Sequence, residues 1–186
     1  KAQAVVAGLT IRDTDPVGDA EALERLALWV LQRIAPIVAA DHPDGIVIDT
    51  TGADHLHGGE AAMLDGLLGR LALSGITAQA AIADTWGAAH ALARFAARPT
   101  VIAPPGHDAS VIASLPIEAL RLPAAMPGEL RLLGFEHIGD LLGQPRAPLA
   151  LRFGPEIGRR LDEALGRSAE PIEPIRPDGL AEARRI

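Results

Sequence analysis

The stretch His42-Pro43-Asp44-Gly45-Ile46-Val47-Ile48-Asp49-Thr50-Thr51-Gly52 decides how this chain is read. Ile46-Val47-Ile48 is a short continuous apolar run, the pattern of a strand covered on both faces. Carboxylates flank it at Asp44 and Asp49, and Gly45 stands beside the first. A two-metal phosphoryl-transfer site needs neighbouring carboxylates that converge on cations about 3.5–4 Å apart. Glycine offers an ion no ligand. Side chains five apart on one regular strand point to opposite faces, so Asp44 and Asp49 are not expected to reach one ion together. Both also fit plain strand-end carboxylates that accept from nearby backbone amides.

The flanks alternate helix and strand signals. Leu9-Thr10-Ile11-Arg12 reads as a short strand, and Asp15-Pro16 as a helix start with proline at its first position. Leu23, Leu26, Ala27, Val30, Leu31 and Ile34 recur at three- and four-residue spacing, one apolar helix face. Gly58-Gly59-Glu60 opens a second helix with a stripe of Leu64, Leu67, Leu68 and Leu71, and Ser74-Gly75 ends it. Ile76 to Ala83 reads as a strand, Ala88 to Ala97 as a helix and Thr100-Val101-Ile102 as a strand. This order describes helices packed on a sheet. Beyond Ser110 the pattern changes to short helical pieces broken at Pro123, Pro127, Gly134, Gly143, Pro145 and Gly154. Ile157, Leu161, Ala164 and Leu165 mark a last amphipathic helix, and Pro171, Pro174 and Pro177 an extended linker. The domain boundary is expected in the loop from Pro104 to Ser110.

With 186 residues the chain allows one ordinary domain or two small ones. Nearly half the residues are hydrophobic, yet there are only three Phe and two Trp, so Leu, Ala, Ile and Val must build the core. The absence of Cys excludes disulfides and thiolate metal sites and suits a reducing cytoplasm. No run approaches the ~20 apolar residues that span a bilayer. The opening at Lys1, without Met, is what a fragment or processed form would show. Net charge is −7, which argues against autonomous duplex binding. Acids outnumber bases 13 to 7 through Asp108 but only 11 to 10 beyond it. Arg146, Arg152, Arg159, Arg160 and Arg167 therefore leave weak DNA contact open in the second part.

Read with its neighbours, the opening stretch resembles the palm of the Y-family (UmuC/DinB-type) translesion DNA polymerases. Ile34-Ala35-Pro36 stands where that family has Tyr-Ser-Pro. An extended stretch to Asp41 then leads into its Ser-Ile-Asp-Glu-Ala-Tyr-Leu-Asp strand. Without a gap, the family's metal-binding Asp falls on Asp44, its catalytic Glu on Gly45 and its strand-end Asp on Asp49. Later words follow in order: Leu115-Pro116-Ile117-Glu118-Ala119-Leu120, then Leu133-Gly134-Phe135-Glu136-His137-Ile138-Gly139-Asp140-Leu141-Leu142. Arg152-Phe153-Gly154-Pro155-Glu156-Ile157-Gly158-Arg159-Arg160-Leu161 comes last. The Asp49-x-Thr51-Gly52, Leu56-x-Gly58-Gly59-Glu60 and Ala83-Asp84-Thr85-x-Gly87-Ala88-Ala89 words are similar to the ImuB branch of the family. The resemblance runs from about Leu9 to Pro177.

It implies an α/β (α+β) partial palm over 1–108, a small all-α helix-hairpin-helix-like thumb over 109–170, and a linker over 171–186 toward a little finger. The amino-terminal catalytic strand and the fingers would lie before Lys1. The implied role is a non-catalytic adaptor, not an enzyme, in the SOS response and mutagenic translesion synthesis. Partners would be an ImuA-like protein, a DnaE2-type error-prone polymerase, the sliding clamp through a segment beyond Ile186, and weakly primer-template DNA. No cofactor is implied, and Mg²⁺ only if the chain is instead an active, divergent DNA polymerase.

The family's triphosphate lysine has no counterpart in Asp84-Thr85-Trp86-Gly87, although Arg94 keeps a later basic position. Its Gly-Ile-Gly hairpin falls near Arg121-Leu122-Pro123, where proline lacks an N–H to offer phosphate. The DNA-binding candidates that remain are Gly154, Arg152, Arg159 and Arg160; the two last also fit a solvated face opposite Ile157 and Leu161. A rival from another class is a metal-dependent hydrolase using His55 and His57, two apart on an extended segment, with Asp84 or His107. Asp44 joins them as a weak metal candidate.

Overall fold

The structure, a computed structural model, describes residues 13–176. The expected strand at Leu9–Arg12 and the end of the linker from Pro177 lie outside them. The described residues divide between two compact units. One holds the chain through Asp49 and the tail from Glu173; the other is Thr50–Ile172.

In the first unit, helix α1 (Pro16–Arg33) starts as its sequence dictates. The Asp15 carboxylate accepts from the Gly18 N–H at 3.0 Å, and Pro16 occupies the first turn, where no N–H is required. Ala27, Val30 and Ile34 form its buried line. Strands β1 (Ile37–Asp41) and β2 (Gly45–Asp49) make an antiparallel hairpin, Val38 opposite Ile48 and Asp41 opposite Gly45, against which α1 packs. His42, cis-Pro43 and Asp44 form the turn. The expectation of a strand covered on both faces is corrected here: within β2 only Val47 is buried, and its neighbours are half-buried. A continuous apolar run does not separate a two-sided strand from an edge of a small hairpin.

The second unit begins with a 3₁₀ turn (Asp54–His57) and helix α2 (Glu60–Leu73), which buries Met63, Leu64, Leu67 and Leu71. Gly75, at φ 78°, ends α2: its N–H bonds to the Ala72 carbonyl, and the Ile76 N–H reaches back to Leu71. Strand β3 (Ala80–Ile82), helix α3 (Trp86–Phe95) and strand β4 (Thr100–Ile102) form a βαβ crossover whose strands are parallel. β3 is shorter than the expected Ile76–Ala83. Its partner supplies only three residues, and Pro99 before them can accept from the Ala80 N–H but donate nothing. Among the described residues the strands form two separate two-stranded sheets.

Short helices follow: α4 (Asp108–Ile112), α5 (Met126–Arg131), α6 (Ile138–Leu142), α7 (Arg146–Phe153) and α8 (Glu156–Ala164). Pro127 was expected to break the chain; instead it sits in the first turn of α5, where its missing N–H costs nothing. One hydrophobic core joins Ala88, Leu92 and Ala103 to Ile112, Ile117, Leu130, Ile138, Leu141, Ile157 and Leu161. It runs through both sides of the Pro104–Ser110 loop. Fully burying a Leu or Ile contributes about 1.5–3 kcal/mol, so this cluster is the main source of the unit's stability.

Candidate functional site

The hairpin turn places Asp44 on the surface just before β2, and Gly45 is the first β2 residue, opposite Asp41. Asp49 closes the strand, opposite Ile37. At about 3.3 Å per residue, the two aspartates stand roughly 16 Å apart along the chain. No single ion can be shared across that span. Asp44 with Asp49 is therefore not a metal pair.

His55 and His57 were expected on an extended segment with a common face. They lie in the 3₁₀ turn, where three residues complete a revolution and positions two apart diverge by about 120°. Among the described residues no group of three His, Asp or Glu side chains is placed to hold a metal.

The β3–α3 turn is built as a lock. Thr85 caps α3 by accepting from the Ala88 N–H at 3.1 Å. Its hydroxyl has the Ala164 carbonyl at 3.0 Å and the Asp108 carboxylate at 3.1 Å as acceptors. Asp108, only 6% exposed, also accepts from the Asp84 N–H at 3.3 Å, and the Asp84 carboxylate accepts from the Gly106 N–H. Gly87 lies against α8: a Cβ built on it would stand 2.8 Å from the Ala164 Cα. The position where the family keeps a phosphate-binding lysine here binds two helices to each other. His107 turns its Nδ1 to the Pro105 carbonyl at 2.9 Å.

The arginines of the last helices meet carboxylates. Arg159 donates from Nε to Glu156 at 2.9 Å and also pairs with Glu163. Arg160 reaches Glu156 at 3.1 Å, Glu163 at 3.3 Å and Glu170 at 3.0 Å. Glu170 takes a further 2.6 Å bond from Arg121, whose guanidinium carbon stands 4.9 Å from the Trp86 ring centroid. Three arginines thus meet three glutamates. Arg146 bonds Asp162 at 3.2 Å, with Arg167 3.9 Å from the same oxygen. Among the described residues Arg152 meets no carboxylate; its guanidinium carbon lies 5.7 Å from the Phe153 ring centroid. Gly154, at φ 83°, makes the α7–α8 turn. Arg94 is exposed on α3.

Sequence reasoning overlooked Asp108, Glu163, Glu170 and Arg121. The i+3 and i+4 spacing of Glu163 from Arg160 and Arg159 was a usable signal. Arg121 had none: its partner Glu170 is 49 residues away, and its backbone stands in the left-handed region at φ 54°.

Two carboxyls are held below their usual range. Hydrogen bonds from Arg159 lower Glu156 from its ordinary 4.5, and backbone N–H groups of His137 and then Glu136 lower Asp140 from 3.8. The Glu156 carboxylate holds Arg159 above its usual value, so its charge is constant through all neutral and acid pH. A carboxyl depressed in the fold stabilises above its unfolded pKa and loses that contribution as pH falls through the folded one. Stability is expected to stay level above about pH 5 and to decline below it. Chemical denaturation at stepped pH measures this, and Glu156→Gln should flatten part of the decline.

The mixed α/β fold is that of a Y-family polymerase fragment. The crystal structure of DinB from Sulfolobus solfataricus superposes with a TM-score of 0.65 over 83% of this chain and 47% of that one, at 18% identity. Sequence narrows the class. Protein ImuB of two Caulobacter vibrioides strains is 51% identical over 176 residues, 95% of this chain. The chain spans 38% of the length of those curated relatives. No family model matches it. This chain is therefore similar to ImuB along nearly its whole length and has the fold of a Y-family polymerase fragment. Among the described residues no helix is long and apolar enough to cross a membrane.

Proposed function

We propose that this chain is the palm-and-thumb part of a non-catalytic Y-family adaptor, which organises an error-prone polymerase complex at lesions during damage-induced translesion synthesis in the cytoplasm. The palm would extend through residue 108 and the thumb from 109 to 170. Its partners would be an ImuA-like protein and a DnaE2-type polymerase, with the sliding clamp engaged by another part of the protein. The observation that carries the reading is Gly45. The residue beside Asp44, where the family places its catalytic Glu, offers no ligand, and Asp49 at the far end of β2 cannot substitute. The missing lysine at the β3–α3 turn supports the same reading, because Asp84 reverses the charge a triphosphate needs.

The rival reading is an active, divergent polymerase, and primer extension by the full-length protein with Mg²⁺ or Mn²⁺ separates the two. No incorporation is expected. Nucleotide addition that Asp44→Ala abolishes would establish the rival instead. DNA contact, if made through Arg152, Gly154, Arg159 and Arg160, is expected to be weak and to collapse as salt rises. The guanidinium groups of the last two are already matched by Glu156, Glu163 and Glu170.

A further inference from the structure

We propose that the outer edge of β1 is a strand-pairing surface for a second copy of this chain, and that the chain's own tail, held there through Ile175, keeps it closed. The inference does not depend on the role in lesion bypass. The Val38 carbonyl accepts from the Ile175 N–H at 2.9 Å, although Val38 stands opposite Ile48 of β2. In an antiparallel ladder, residues alternate between bonding one neighbour and facing the other side. Val38 and Ala40 therefore direct their backbone groups outward, and Ile37, Ala39 and Asp41 direct theirs to β2.

The tail's hold is limited by its own sequence. Pro174 and Pro177 carry no N–H, and in an extended chain Arg176 faces away from the side Ile175 faces. Among the described residues of the tail, the Ile175 N–H makes the one backbone hydrogen bond to β1. Natural edge strands protect themselves with lysine, proline or a bulge. β1, Ile37-Val38-Ala39-Ala40-Asp41, carries none of these; Pro174 stands in the tail next to the residue that bonds to it.

The uncovered edge is complementary to itself. With Ala39 on a two-fold axis, an antiparallel copy sets Val38 of one chain opposite Ala40 of the other, both with outward N–H and C=O groups. Ile37 then faces Asp41, so the two Asp41 carboxylates are kept apart.

Two measurements on the 186-residue chain test this. Hydrogen exchange should find the Ile175 amide at least tenfold slower than in an unstructured peptide; exchange at the unstructured rate overturns the contact. Ile175→Pro removes the N–H from a surface tail. In sedimentation equilibrium the unaltered chain should be monomeric and the variant's average mass should rise toward twice that value with concentration. A folded Ile175→Pro chain that stays monomeric, or an unaltered chain that dimerises equally, overturns the gating. Adding Ala40→Lys brings two ammonium groups beside the axis and should restore the monomer without touching the backbone. A dimer indifferent to that change pairs elsewhere and sinks the assignment to β1.

Discussion

Gly87→Ala is expected to destabilise the chain by about 2–3 kcal/mol, the upper part of the range for forcing atoms into a filled interior. The added methyl would meet the Ala164 Cα at 2.8 Å and its N and Cβ at 3.1 Å. Two of those three atoms are backbone, and no rotamer change can move them aside. Alanine's better helix propensity, about 1 kcal/mol in a helix interior, offsets little in the first turn of α3. Widening the gap would also stretch the bond from the Thr85 hydroxyl to the Ala164 carbonyl. Urea denaturation measures the loss as a lower midpoint at unchanged slope. A variant as stable as the parent would mean that α8 does not press on α3 at this point.

Glu170→Ala comes next, with an expected loss of about 2–3 kcal/mol, below the 3–5 of a fully buried pair because its partners keep some solvent. The Glu170 side chain is 12% exposed and Arg121 is 17% exposed. Arg160 retains Glu156 and Glu163 when Glu170 is removed, so its charge stays matched. Arg121 does not: among the described residues it is left with the face of Trp86. It also holds a left-handed backbone conformation that costs about 1–2 kcal/mol for a residue with a Cβ. Arg121→Ala combined with Glu170→Ala should cost less than the sum of the two single changes, since Arg121→Ala removes the charge that Glu170→Ala has left without a carboxylate. Equal sums would show that the pair contributes nothing as a pair.

Much of the fold was legible because it depends on local chemistry. The Asp15-Pro16 cap, the α2 stripe, the stop at Gly75 and the three residues of β4 all follow from side-chain type and spacing. Gly45 at the head of β2 was legible for the same reason: a missing side chain is a property of the residue itself. The extent of β3 was not, because a strand is only as long as the partner that bonds to it. The histidine pair failed similarly. His55 and His57 share a face in an extended chain and diverge in a 3₁₀ turn, and Asp54-His55-Leu56-His57 does not choose between those states by itself.

By itself the sequence determined that β2 begins without a second carboxylate beside Asp44, that the core is aliphatic, and that the segment around Pro174 can make few ladder bonds. Those are facts of covalent structure, and no packing alters them. Only the tertiary structure decided what the arginines do. Arg121 finds Glu170 across 49 residues of chain, and Thr85 finds Ala164 across 79. Such partners are chosen by which helices share a core, and the core is assembled by non-directional burial of Leu, Ile and Ala side chains that carry no address for the charges around them.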